Sequence, residues 1–104
     1  MGTREQDELW VTLNGQTAKL GWAELQKHFA RGVVITVSTK LDLVDVAMRF
    51  ARDDRAAVDQ WLKSGEVARA SSQDAERWER ADTTFWAVVI APWVLVQEIQ
   101  PQQN

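Results

Sequence analysis

The sequence predicts an α+β fold in which a small sheet is packed by helices, and three observations lead there. Apolar residues recur at helical spacing in separate stretches, as at Trp22, Leu25 and Phe29. Between the helical stretches lie short β-branched or alternating runs, VVITVS at 33–38 and EVARA at 66–70. Near the end, FWAVVIAPWVLV runs for twelve residues from Phe85 to Val96 without a polar side chain, as a strand buried on both faces requires. The predicted order is helix-helix-strand-helix-helix-strand-helix-strand.

Leu9, Trp10 and Leu13 mark a short first helix, and Asn14-Gly15 is its expected stop because both residues tolerate the left-handed conformation. The second helix is expected over about 20–31, with Lys27, His28 and Arg31 in its last turn, where positive charge complements the helix dipole. After the strand at 33–38, Asp42 is placed to cap a helix running to about Arg52, whose buried stripe is Leu43, Val46, Ala47 and Phe50. Asp53 or Asp54 caps the next helix, which carries Ala57, Val58, Trp61 and Leu62 and ends at Gly65. The spacing Ser71-x-x-Asp74 opens a short helix with Ala75 and Trp78 facing inward. In the final apolar run, Pro92 donates no ladder hydrogen bond, so it marks a bulge, an edge or a break between two strands.

A chain of 104 residues is one domain by length, expected over 7–99, between mobile tails at 1–6 and 100–104. With 45% hydrophobic and 26% charged residues it has an ordinary globular composition. Six tryptophans call for a packed core. No cysteine is present, which excludes disulfides, thiolate nucleophiles and thiolate metal sites on this chain. The start MGTREQDE has no apolar leader, and the apolar run near the end is too short to span about 30 Å of hydrocarbon. A cytoplasmic location with no membrane contact is therefore expected.

The segment from Leu43 to Val67 has the spacing of a helix-turn-helix, and the surrounding strands suit a winged-helix-like order. Its charge argues against nucleic acid as a partner. Lys40 to Arg69 holds six basic and six acidic residues, whereas phosphate contact needs a basic surplus. His28, the one histidine, has no second ligand near it in sequence and reads as a surface residue at a helix end. Asp53, Asp54 and Asp82 are the polar contact candidates, since carboxylates brought together suit a hard cation or a small ligand. Helix capping is the simpler role for the first two. No serine sits in a nucleophile elbow and no glycine run leads into a phosphate loop, so no catalytic residue, metal or cofactor is assigned. Trp22, Trp61, Trp78 and Trp86 are assigned to the core, and Trp93 to core or edge.

The succession GWAELQKHFARGVVITV, LDLVDVAMRFARDD, QWLKSGEVARAS and ADTTFWAVVIAPWVLVQ resembles a family of small bacterial proteins, domain of unknown function 2288. The likeness runs from about Leu13 to Gln97 and implies a free-standing bacterial cytosolic protein. It brings no assigned activity, cofactor or catalytic residue. The expected function is that of a small non-enzymatic interaction or regulatory protein acting through protein contacts. A winged-helix-like nucleic-acid binder is the first alternative, and a ligand or metal protein using the Asp53, Asp54 and Asp82 region is the second. If helices cover only one side of a three-stranded sheet, the apolar strand at 85–90 leaves its other side open. That reasoning predicts a homodimer, with Trp93 and Leu95 as contact residues.

Overall fold

The structure, a computed structural model, describes residues 7–100; the tail residues 1–6 and 101–104 lie outside the described residues. The described chain runs α1 (Glu8–Gln16), β1 (Ala18–Gly21), α2 (Trp22–Ala30), β2 (Val34–Val37), α3 (Leu43–Ala51), α4 (Arg55–Ser64), β3 (Val67–Arg69), α5 (Ser72–Ala81), β4 (Thr84–Ile90) and β5 (Trp93–Glu98). The five strands form one open sheet in the order β1-β4-β5-β2-β3. All neighbouring strands are antiparallel except β2 and β5, which are parallel.

Local signals in the sequence account for most helix ends. Asp42 accepts from the Val44 and Asp45 amides at 2.9 and 3.3 Å and starts α3. Ser71 and Asp74 form a reciprocal capping box on α5, at 3.1 and 2.9 Å. Gly65 ends α4 in the left-handed region at φ 81°, which a side chain would strain. The helix before β1 runs two residues further than Asn14-Gly15 suggested, because Thr17 takes over its end and donates its hydroxyl to the Leu13 carbonyl at 2.9 Å.

Two strands separate the observed order from the expected one. Ala18–Gly21 is a strand, where the sequence reading began the second helix at Leu20, and it exists through pairing with Thr84–Ala87 rather than through β-branched residues of its own. The apolar run at its other end is a hairpin. β4 and β5 face each other from Phe85 opposite Glu98 to Ile90 opposite Trp93, with Ala91 and Pro92, joined by a cis peptide, as the connection. Of the three roles open to Pro92, the break between two strands is the one observed. The sheet lies at the centre of the molecule, whereas a winged helix carries its strands beside a helical core.

Alternation along the strands divides the core in two. Ile35, Val37, Val88 and Leu95 meet Leu13 of α1 and the Leu43, Val46 and Ala47 stripe of α3 on one face. Val34, Phe85, Ala87, Val94 and Val96 meet Trp22 and Leu25 of α2 and Trp78 of α5 on the other. Helices thus pack on both faces, so neither is left wholly open as the homodimer expectation supposed, although Trp86 and Val89 of β4 stay exposed. Leu95, expected at a partner contact, is fully buried within its own protomer. Trp86, expected in the core, is 41% exposed, with Lys19 of β1 5.3 Å above its ring. Its strand position lies where the helical cover of that face ends.

Polar ties hold the layers in register. The Gln97 side-chain amide donates to the Ser38 and Leu41 carbonyls, both at 2.8 Å, and so pins the β2–α3 loop to β5. Arg77 joins α5 to β5 through Glu98 at 2.7 Å, with Asp74 at 3.1 Å on its other side. Glu98 is the main reason that the guanidinium holds its proton more firmly than usual. Among the described residues, no helix is long and apolar enough to cross a membrane.

Candidate functional site

The α3–α4 corner is built by two adjacent aspartates with different tasks. Asp53 turns the chain at φ 54°, a left-handed conformation that aspartate tolerates, and its amide donates to the Phe50 carbonyl at 3.1 Å. Asp54 then caps α4, accepting from the Ala57 amide at 3.2 Å and from Arg49 Nη1 at 2.7 Å. The Ala57 amide foremost, then Arg49, holds the Asp54 carboxyl below its ordinary value. Arg55 and Asp53 make a longer pair, 3.5 Å apart and largely in solvent.

α4 is held at this corner but has no buried residue of its own. Trp61, expected in the core, is only partly buried, and Leu62 is 48% exposed. Between this helix and the sheet lies a groove of about 460 Å³. Ile35, Phe50, Ile90 and Trp93 form its apolar floor, and Val58 and Leu62 line the helix side. Its rim carries three arginines, Arg49, Arg55 and Arg69, and three aspartates, Asp53, Asp54 and Asp59. The Arg69 guanidinium lies over the Trp93 indole, 5.1 Å from the ring centroid.

The groove gathers Asp53, Asp54 and Trp93 from the residues singled out in the sequence, and leaves two out. Asp82 is the left-handed C-cap of α5 at φ 49° and lines a different groove, with Lys19, Thr84 and Glu98. Leu95, two residues from Trp93 on the same face of β5, is buried in the core beneath α1 and α3. The three aspartates therefore do not form one site, and among the described residues no group of three metal-ligating side chains comes together. His28 is half-buried rather than at the surface, with its Nδ1 enclosed and without a hydrogen-bond partner among the described residues.

Sequence reasoning missed Arg69, although a signal for it was present. Val67 and Arg69 are two apart on a strand and share a face, and Val67 is fully buried on the side where α4 packs. An arginine on a core-facing register is the kind of exception that marks a site. Ile35 and Ile90 carried no such mark, because only the strand order β4-β5-β2 brings them to one groove, on either side of β5.

Against known proteins, no curated sequence matches the chain. A solved structure described as the NMR solution structure of PA1075 from Pseudomonas aeruginosa is similar to it along the whole length. The two are 42% identical with a TM-score of 0.80, and the match covers 100% of this chain and 97% of that one. A family model described as protein of unknown function (DUF2288) matches residues 8–98, nearly all that is described, and the chain belongs to that family.

Proposed function

We propose that this protein is a non-enzymatic binding protein whose recognition site is the groove between α4 and the β4–β5 hairpin. One observation carries the reading: an apolar floor is left uncovered by the helix that packs beside it, and the Arg69–Trp93 stack stands at its edge. Pockets of this kind, mostly apolar with a few placed polar groups, are the usual form of a binding site. Two of the three rim carboxylates support binding over catalysis, since Asp54 is occupied as a helix cap and ion-pair partner and Asp53 as a turn residue facing Arg55. The interaction role expected from the sequence is kept, and its location moves from a sheet face to this corner. Trp93 stays in it and Leu95 does not.

The test is to titrate isotope-labelled protein with small apolar fragments of neutral, cationic and anionic type while following its amide and indole resonances. Saturable shifts are expected at Val58, Leu62, Ile90 and the Trp93 indole. Shifts confined to other surfaces would overturn the reading.

Nucleic acid is the second reading, resting on the α3–α4 helix pair. With its cap, α4 carries Asp54, Arg55, Asp59, Gln60 and Lys63, whose charges cancel, so duplex DNA is expected to bind no tighter than the non-specific range of about 10⁻⁴ to 10⁻⁶ M. Sequence-selective nanomolar binding by fluorescence anisotropy would reverse the order of the two readings.

A further inference from the structure

The chemical class of the occupant follows from how the three groove arginines are engaged, and this step rests on the groove being the binding site. Arg49 gives Nη1 to Asp54 at 2.7 Å, and Arg55 faces Asp53 at 3.5 Å. Arg69 differs: among the described residues its contact is the Trp93 ring, and no carboxylate is paired with it. A guanidinium over an indole is attracted through its charge to the ring face, and its N–H donors stay available for another acceptor. Those donors form a fork that matches a carboxylate in bidentate fashion. The strand register fixes where the fork is offered, because Arg69 shares its side of β3 with buried Val67 and pairs with Ile35 of the groove floor.

Two further features narrow the ligand. With Arg49 and Arg55 each facing an aspartate, Arg69 and Asp59 are the rim charges without an ion-pair partner among the described residues, so one negative charge directed at Arg69 suits the site, whereas a phosphate monoester with close to two charges faces Asp53, Asp54 and Asp59. The floor is apolar, formed by Ile35, Ile90 and Trp93 of the sheet and Phe50 of α3, so the rest of the ligand must be apolar too. A volume of about 460 Å³ lies within the range of roughly 300 to 1,000 Å³ typical of small-molecule pockets. We infer that the groove binds a small organic monocarboxylate with an apolar body, of the aryl-alkanoate or medium-chain type. Its carboxylate engages Arg69 and its body lies between Trp93 and the Val58–Leu62 side of α4.

The experiment is a charge series on one body: 4-phenylbutyrate, its uncharged amide and 4-phenylbutylamine, each titrated into labelled protein near neutral pH. The acid is expected to saturate the groove resonances, with the amide about tenfold weaker or worse and the amine weaker still, since a hydrogen bond to a charged group separates them. Arg69→Gln should weaken the acid by about tenfold and bring acid and amide together, and Arg69→Lys should recover only part of the loss because it cannot make the fork. A thermal melt establishes that each variant is folded, and the Lys variant carries the test if the Gln variant is not. Acid and amide binding equally well would overturn the inference and leave the groove reading standing; such a groove would suit the apolar side chains of a protein segment instead. Acid affinity unchanged in Arg69→Gln would overturn it in the same way. If no probe moves the groove resonances, the inference and the groove reading fall together.

Discussion

On the face covered by α2 and α5, three rings interlock. Trp78 meets Phe85 edge-on at 4.9 Å and Trp22 at 5.6 Å, and both Trp78 and Phe85 are fully buried. On the opposite face α1 and α3 close an aliphatic core, but α4 stands off, with Trp61 only partly covered and Leu62 about half in water. Both α4 and α5 are ten-residue helices with an aspartate or serine cap and a tryptophan on the inner side. Helix propensity and capping therefore do not separate them. The difference lies in what the sheet offers beneath each. Trp78 enters a space walled by Trp22 and Phe85, while Trp61 reaches only the margin of the other core. A helix that is capped firmly but buried loosely leaves apolar sheet surface open beside it, and there the groove forms.

Emptying the aromatic core should have the largest effect. Trp78→Ala is expected to cost about 3 to 5 kcal/mol, measured by chemical denaturation, because the ring is buried on all sides. Trp61→Ala gives the contrasting value. Its helical stripe alone suggested a similar loss, but partial burial lowers the expectation to about 1 to 2 kcal/mol. Equal losses for the two would show that α4 packs as tightly as α5 and would remove the contrast.

Arg69→Gln sharpens the comparison from the other side. Its contact in the folded chain is with an indole at an open groove, so a stability change within about 0.5 kcal/mol is expected even though ligand affinity falls. The smallest effect is acid loosening of α4. Because Asp54 is held below its ordinary value near 3.8 in the folded state, its contribution is complete above that value and is lost as pH falls through the lower folded value. Protection of the Ala57 and Val58 amides against hydrogen exchange, relative to the intrinsic rate at each pH, should therefore fall below about pH 4 before that of the Trp78 region. A simultaneous fall in both regions would mean that the corner is no weaker than the aromatic core.

Much of this protein could be read from residues close together in sequence. Asp42, Ser71 with Asp74, and Gly65 each act on a backbone group within four residues, so their roles as caps and stops are visible without a fold. The same holds for burial on both faces of the Phe85–Ile90 strand, since alternation at period two is a local property. Other features depended on partners far along the chain. Ala18–Gly21 becomes a strand because Thr84–Ala87 lies beside it, and nothing in AKLG announces that. Trp61, Trp78 and Trp86 all sit among apolar neighbours in sequence, yet one is half-covered, one fully buried and one exposed. The site divides in the same way. Asp53 and Asp54 are legible as helix-capping residues and Trp93 as a residue beside a strand-breaking proline, and Arg69 is marked by its place two residues from Val67 on one strand. That Arg69 from β3 lies over Trp93 from β5, and that Asp82 belongs elsewhere, was decided by the strand order β5-β2-β3 and the end to which each loop is carried. Hydrogen bonds that cap helices reach only a few residues. Packing and strand pairing join residues that sequence separation keeps apart, and those are the relations that built the groove.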